Sequence, residues 1–219
     1  PRRFGKSVMA NMVAAFLGRA EETGHLFERL QIGQSECCHG HLNQYPVIYI
    51  DFSEIPENCV SYREYISRVL EGLKQDLSEA FPEIVTDTGI SVWDILKQVF
   101  RKAGKKFVFV IDEWDSIFHM SFITEEDKKA YLLFLKSLLK DKAYVKFVYM
   151  TGVLPIAKYS SGSELNMFVE YDMTVMERFS DCFGFVEKEV DRLFDIYLQT
   201  TKGPKITRKD LEVWYDGYY

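Results

Sequence analysis

Two short stretches of the sequence carry residue types that can bind and cleave a phosphate chain. The first is Gly5-Lys6-Ser7, directly ahead of a run of small and apolar residues, and the second is Asp112-Glu113, far downstream. Glycine, lysine and serine at the start of a helix form the second half of a phosphate-binding loop, Gly-x4-Gly-Lys-Ser/Thr. The spacing puts the first glycine of that pattern one residue before Pro1, and we expect the strand that leads into the loop to precede it.

Each residue of the first stretch has a role in such a loop. Gly5 lets the backbone approach the phosphates closely, Lys6 reaches the β and γ phosphates as a mobile positive charge, and Ser7 supplies a hydroxyl to Mg²⁺. Arg2 and Arg3 would flank the phosphates or else remain solvated. Alone, the tripeptide does not distinguish a nucleotide site from a chance basic segment ahead of a helix.

The acidic pair supplies the second half of the same chemistry. Asp112 follows the apolar run KFVFVI, where a carboxylate can hold the magnesium shell, and Glu113 can polarise an attacking water. Thr151, at the end of the next apolar run, can sense the γ phosphate or orient that water. Acidic residues and threonines also end strands for ordinary turn reasons. Two half-motifs in the right order nevertheless favour a nucleotide-binding site.

Alternating helices and strands must position these residues. Helical spacing and apolar runs predict helices over 6–17, 61–80, 91–103 and 125–140, and strands over 45–53, 106–115 and 145–151. This alternation predicts an α/β fold with a mainly parallel sheet covered on both faces. Helical patterns over 186–198 and 207–214, with no strand signal between them, predict a small helical lid or subdomain over 176–219 after a core over 1–175.

Composition narrows the class of protein. The formal net charge of −6 is opposite to that of most DNA-binding domains, so nucleic acid is not an expected partner. No apolar run approaches the roughly 20 residues that span a bilayer, so no membrane association is expected. Four cysteines in 219 residues are not a disulfide framework and favour a cytoplasmic protein.

A cluster of Cys37, Cys38, His39 and His41 could ligate zinc. Adjacent cysteines are poor partners for one tetrahedral ion, and no second Cys-x2-Cys pair follows downstream. We therefore expect a surface loop here rather than a metal site.

Several segments, in order along nearly the whole chain, resemble the AAA-ATPase-like family of bacterial and archaeal proteins. These segments are PRRFGKS, YPVIYIDFS, FVIDEWD, MTGV, SELNMF, FGFVEKEV and WYDGYY. The family more often has tyrosine where Trp114 stands, and its members tend to lack the first glycine of the loop.

The resemblance implies a P-loop NTPase fold of the additional-strand class, a three-layer αβα sandwich, with ATP and Mg²⁺ as cofactors. It implies that Lys6 and Ser7 contact the phosphates and magnesium, and that Asp112 and Glu113 form the acidic pair. In this family a PD-(D/E)XK nuclease-like domain often follows the ATPase-like region, here after Tyr219. The leading hypothesis is Mg-dependent ATP hydrolysis coupled to a conformational change or a downstream effector, with the oligomeric state open. The alternatives are a regulatory module that turns nothing over and a phosphotransferase to a small molecule.

Overall fold

The computed structural model describes residues 5–36, 38–87, 89–159, 165–171 and 185–215. One compact unit is Gly5–Val169, and the described part of a second lies within Glu170–Tyr219. The division into a core over 1–175 and a helical subdomain over 176–219 stays a prediction, because residues 172–184 lie outside the described part.

Three parallel strands form the sheet of the first unit. They are β1 (Val47–Asp51), β2 (Phe107–Asp112) and β3 (Val145–Met150), in the spatial order β1-β2-β3. Every residue of β2 is buried, as the continuous apolar run predicts for a central strand. The three predicted strands are confirmed with shorter bounds. The described residues thus form a mixed α/β fold around a small parallel sheet.

Helices surround this sheet and continue into the second unit. The α-helices are α1 (Lys6–Leu17), α2 (Gly24–Phe27), α3 (Cys38–His41), α4 (Tyr62–Ala80), α5 (Val92–Ala103), α6 (Glu125–Leu139), α7 (Ile156–Tyr159), α8 (Glu187–Thr200) and α9 (Arg208–Tyr215). Short 3-10 helices cover Gln31–Gln34 and Ser116–His119. Of the described helices, none has both the length and the apolar content to cross a membrane.

Local sequence signals fix the ends of the long helices. The side chains of Ser61, Ser91 and Thr124 accept hydrogen bonds from the first turns of α4, α5 and α6. Thr124 and Asp127 form a reciprocal capping box. Gly104 ends α5 with a φ of 64°, a left-handed conformation that glycine adopts without strain. Capping side chains and one glycine therefore set the bounds of these helices.

The two faces of the sheet pack against different helices. On one face, Val108 and Val110 of β2 pack against Ala10 of α1. On the other face, Phe109 and Ile111 belong to a larger core shared with α4, α5 and α6. Because side chains alternate along a strand, Asp112 continues the series that faces α1.

The cysteine and histidine cluster differs from the predicted loop. Residues Cys38–His41 form the short helix α3, and the Cys38 side chain is buried as a small apolar group would be. Cys37 lies outside the described residues. No group of three or more histidine, cysteine or acidic side chains able to hold a metal occurs in the part of the chain that the structure describes.

In the second unit, α8 and α9 are joined by polar contacts. The Arg208 guanidinium donates to the Asp191 carboxylate at 2.8 Å and also pairs with Glu187. The Lys205 backbone N–H donates to the Tyr197 hydroxyl at 3.0 Å. The start of α9 is thus joined to the first turns of α8, and the segment between the helices is bonded to Tyr197 nearer the end of α8.

Candidate functional site

The candidate site lies where the carboxyl ends of β2 and β3 meet the amino-terminal end of α1. Parallel strands deliver the residues that follow them to one edge of the sheet, which is where ligands bind in open α/β folds. Asp112 is the last residue of β2, and Thr151 follows β3 directly. Lys6 begins α1 on the face of the sheet toward which Asp112 is directed.

An ion pair joins the two sequence stretches. Lys6 Nζ lies 3.4 Å from Glu113 Oε1, with side chains that are 18% and 29% exposed, respectively. Glu113 has a φ of 49°, a left-handed conformation that costs a non-glycine residue about 1–2 kcal/mol. The chain therefore turns sharply at the end of β2, at the residue that meets Lys6.

Asp112 is buried, and both of its carboxylate oxygens accept hydrogen bonds. Oδ1 accepts a hydrogen bond from the Thr151 hydroxyl and another from the Glu113 backbone N–H at 3.1 Å. Oδ2 accepts a hydrogen bond from the Tyr49 hydroxyl at 3.3 Å. These three donors satisfy a charge that would otherwise be costly to bury, and they fix its position.

Tyr49 is a member of the site that the sequence prediction missed. Burial, and secondarily the neighbouring Asp112 carboxylate, raises the pKa of Tyr49 to about 12. Its position on β1 puts it on the α1 face, and β1 pairs with β2 so that Tyr49 lies opposite Val110. Alternation along β1 assigns Tyr49 to one face of the sheet, but its position beside Asp112 follows only when the register between β1 and β2 is known.

Asp115 is a second residue whose role the sequence did not reveal. Its buried carboxylate accepts hydrogen bonds from the backbone N–H groups of Val153, at 3.1 Å, and Leu154, at 2.8 Å. The backbone N–H of Trp114 donates to the Thr151 carbonyl at 2.9 Å. The turn after β2 thus holds the segment after β3, and with it the Thr151 hydroxyl.

Gly152 is required by this close approach. A Cβ atom at Gly152 would lie 2.4 Å from a carbon of the Trp114 ring and 2.5 Å from an Asp115 carboxylate oxygen. No larger residue fits here without displacing buried side chains, so the glycine allows the two segments to come together.

The amino-terminal end of α1 presents its first turn to the same edge. Gly5 has a φ of 78°, and its carbonyl accepts the first helical hydrogen bond, from Met9 N–H at 2.8 Å. The first turn contains no acidic residue and no side-chain cap, so its partial positive charge is not offset locally. Ser7 is exposed in this turn. Arg3 lies outside the described residues.

Comparison with known proteins identifies a family but no individual relative of this chain. No curated protein and no solved structure matches this chain. The family model described as a predicted AAA-ATPase matches residues 1–161, which include the Gly5-Lys6-Ser7 stretch, the acidic pair and Thr151. This match covers well over half of the 219 residues. The chain belongs to the AAA-ATPase-like family.

Proposed function

We propose that this chain binds ATP with Mg²⁺ and hydrolyses it, and that hydrolysis changes the conformation of the protein or of a downstream effector. One observation carries the proposal: Lys6 and Glu113 meet at 3.4 Å beside the buried Asp112–Thr151 pair. A lysine, a base and a carboxylate at the carboxyl edge of a parallel sheet are groups that phosphoryl transfer to water uses. Coupling to a nuclease-like domain rests on the resemblance alone.

The Lys6–Glu113 ion pair is the resting arrangement in this proposal. The β and γ phosphates carry more negative charge than one carboxylate, so the Lys6 ammonium would leave Glu113 for the phosphates. Glu113 would then be available to orient a water molecule and accept its proton. Partial exposure of both side chains is compatible with such an exchange of partners.

Ser7 and Asp112 offer the oxygen donors that Mg²⁺ prefers. Both Asp112 oxygens already accept hydrogen bonds, whereas the Ser7 hydroxyl lies on an exposed turn. We therefore assign Ser7 to the ion and Asp112 to its bound waters, because Mg²⁺ gives up its water ligands reluctantly. Bound magnesium would neutralise charge on the phosphate chain.

The remaining residues of the proposed site act on the phosphates. Gly5 leaves the start of α1 open to close approach, since no atom of the described residues other than its neighbours along the chain lies within 4 Å of where its Cβ would be. Arg3 would flank the phosphates. Thr151 would report on the γ phosphate, because its hydroxyl contacts Asp112 and lies 3.3 Å from the Glu113 backbone nitrogen.

A second candidate is a regulatory module that binds nucleotide or a protein partner without turnover. The same ion pair favours it, because Lys6 and Glu113 neutralise each other in the resting site. In this version, nucleotide would separate the pair, and the released Glu113 would not act on water.

Thermal melting with ATP and Mg²⁺, together with phosphate release, tests both candidates. We expect ATP to raise Tm, Lys6→Ala to remove that shift, and Glu113→Gln to keep the shift while abolishing phosphate release. Lys97→Ala is the matched control, since Lys97 forms an ion pair with Asp94 on the surface of α5. A shift without phosphate release selects the nucleotide-binding regulatory module. The absence of any shift overturns both nucleotide-binding candidates and leaves a module that binds only a protein partner.

A further inference from the structure

A cavity of about 750 Å³ lies along the free edge of β1. Lys6, Glu113 and Thr151 do not line it. Four consecutive residues, Pro46 to Tyr49, do. Because successive side chains of a strand point to opposite faces, a cavity lined by all four borders the edge of the strand rather than one face.

The backbone of this edge has donors and acceptors directed into the cavity region. Pro46 accepts a hydrogen bond from the Val108 N–H of β2. In a pair of parallel strands, every second residue of one strand forms its backbone hydrogen bonds with the other strand. The residues in between direct their N–H and C=O groups away from that strand, which for β1 means away from β2 and toward the cavity. On β1 these residues are Val47, Tyr49 and Asp51. Since β1 is the end strand of the described sheet, no described strand pairs with them.

A short segment of the chain already pairs with the start of this edge. The Tyr45 N–H donates to the Leu17 carbonyl, and the Arg19 N–H donates to the Tyr45 carbonyl, both at 2.9 Å. Together they form an isolated parallel bridge between Gly18 and Tyr45. The chain continues to α2 along the cavity, which Ala20, Glu21 and Thr23 line, and the described residues continue no ladder beyond this bridge. The start of the edge therefore already pairs in parallel, and no described residue pairs with its continuation.

The walls of the cavity consist largely of small and apolar side chains. Ala14 and Ala15 of α1 form one side with small side chains, and Leu73, Leu77 and Phe81 form an apolar opposite side. A peptide backbone added beside β1 would direct alternate side chains toward these two walls. The volume also lies within the range of sites that bind compact ligands.

The rim of the cavity is acidic. Glu21 and Asp76 are exposed, and no hydrogen bond or ion pair within the described part of the chain engages either carboxylate. Among the described residues that line the cavity, the one basic group is Arg19, which lies over the Phe81 ring at 5.2 Å from its centroid. A basic side chain on the occupant would complement this rim.

We propose that the free edge of β1 binds an extended peptide segment of a partner protein by strand addition. The peptide pairs with the outward backbone groups of Val47 and Tyr49 and places a basic side chain near Glu21 and Asp76. In this mode of recognition the backbone hydrogen bonds supply affinity and the flanking pockets supply sequence preference. Lys6, Glu113 and Thr151 do not line this cavity, whereas Tyr49 lines it and also donates a hydrogen bond to Asp112 of the candidate nucleotide site.

A displayed library of random decapeptides, screened against the full chain, tests the proposal. We expect enriched peptides to combine a basic residue with alternating apolar residues, and N-methylation of their backbone to weaken binding about tenfold. Asp76→Lys should weaken binding about fivefold. Glu71→Lys, on the exposed side of α4 and outside the cavity lining, should leave binding unchanged.

Two further measurements locate the bound peptide. Val47→Pro removes an outward N–H without removing a bond to β2 and should weaken binding about tenfold. In the unsubstituted chain, hydrogen exchange at the Val47 and Tyr49 amides should slow when peptide binds. This second readout does not depend on the folding of the proline variant.

Three results would overturn the proposal. One is a screen that enriches no peptide. Another is binding that is insensitive to both backbone N-methylation and Asp76→Lys. The third is slowing of Val47 exchange with rising protein concentration alone, which would assign the edge to a second copy of this chain.

Discussion

Asp112 and Glu113 are neighbours in the chain but have very different surroundings. Asp112 is 2% exposed and accepts hydrogen bonds from three donors, whereas Glu113 is partly exposed and forms an ion pair with Lys6. Loss of a donor to a buried carboxylate leaves a charge without compensation, whereas a partly exposed ion pair is screened by solvent. Asp112 is thus a fixed element of the site, and Glu113 is the member that can change partners.

Replacement of Thr151 by valine tests the fixed part of the site. Valine keeps the shape of threonine but removes the hydroxyl that donates to Asp112, so we expect the free energy of unfolding to fall by about 1–3 kcal/mol. Urea unfolding at neutral pH measures this change. Thr151→Ser restores a hydroxyl donor and should recover much of the lost stability. If the valine and serine variants unfold at the same urea concentration, the hydroxyl does not stabilise Asp112.

Two glycines in different elements provide a matched comparison of backbone packing. Gly152→Ala would bring a Cβ within 2.5 Å of Trp114 and Asp115, and we expect a loss of about 1–3 kcal/mol. Gly72→Ala, inside α4, meets no atom of the described residues within 4 Å apart from the helix's own backbone and should stabilise the protein by about 0.5–1 kcal/mol through helix propensity. Both changes can be read from urea unfolding midpoints. A Gly152 variant as stable as the unsubstituted chain would show that the turns after β2 and β3 separate at little cost.

The sequence predicted those elements whose signals are local. The helices capped by Ser91 and Thr124 and the fully apolar β2 follow from patterns within a few residues. The contributions of Tyr49 and Asp115 were not predictable, because each depends on the register or the approach of strands that are distant in sequence. The proposed roles of Lys6, Ser7, Asp112, Glu113 and Thr151 remain predictions.

Within the first unit, the two faces of the sheet have different roles. The face toward α4, α5 and α6 contains the larger apolar core, and the face toward α1 ends in the polar residues of the candidate site. Substitutions on the α1 side at the strand ends can therefore alter the site while most of the core packing stays in place. The cavity at the edge of β1 borders both faces, and neither Lys6 nor Glu113 lines it.

Stability at alkaline pH depends on partly buried tyrosines on both sides of the sheet. Burial is the main cause that raises the pKa of Tyr49 and of Tyr62 from 10.0 to about 12. Between these values the unfolded chain loses protons that the folded chain retains. The raised pKa values therefore contribute their full share of folding stability below pH 10, and this contribution is lost as the pH rises to about 12. We expect the free energy of unfolding, measured with urea across this range, to decline with pH.

Tyr49→Phe and Tyr62→Phe should each make this alkaline decline shallower, because phenylalanine has no proton to lose. Of the two variants, only Tyr49→Phe also removes a hydrogen bond to Asp112, and so it should lower stability at neutral pH by about 0.5–1.5 kcal/mol. Ultraviolet absorbance of tyrosinate follows the ionisation directly, and urea unfolding at each pH gives the stability. A Tyr49→Phe curve that superimposes on that of the unsubstituted chain from neutral to alkaline pH would refute both the raised pKa and the bond to Asp112.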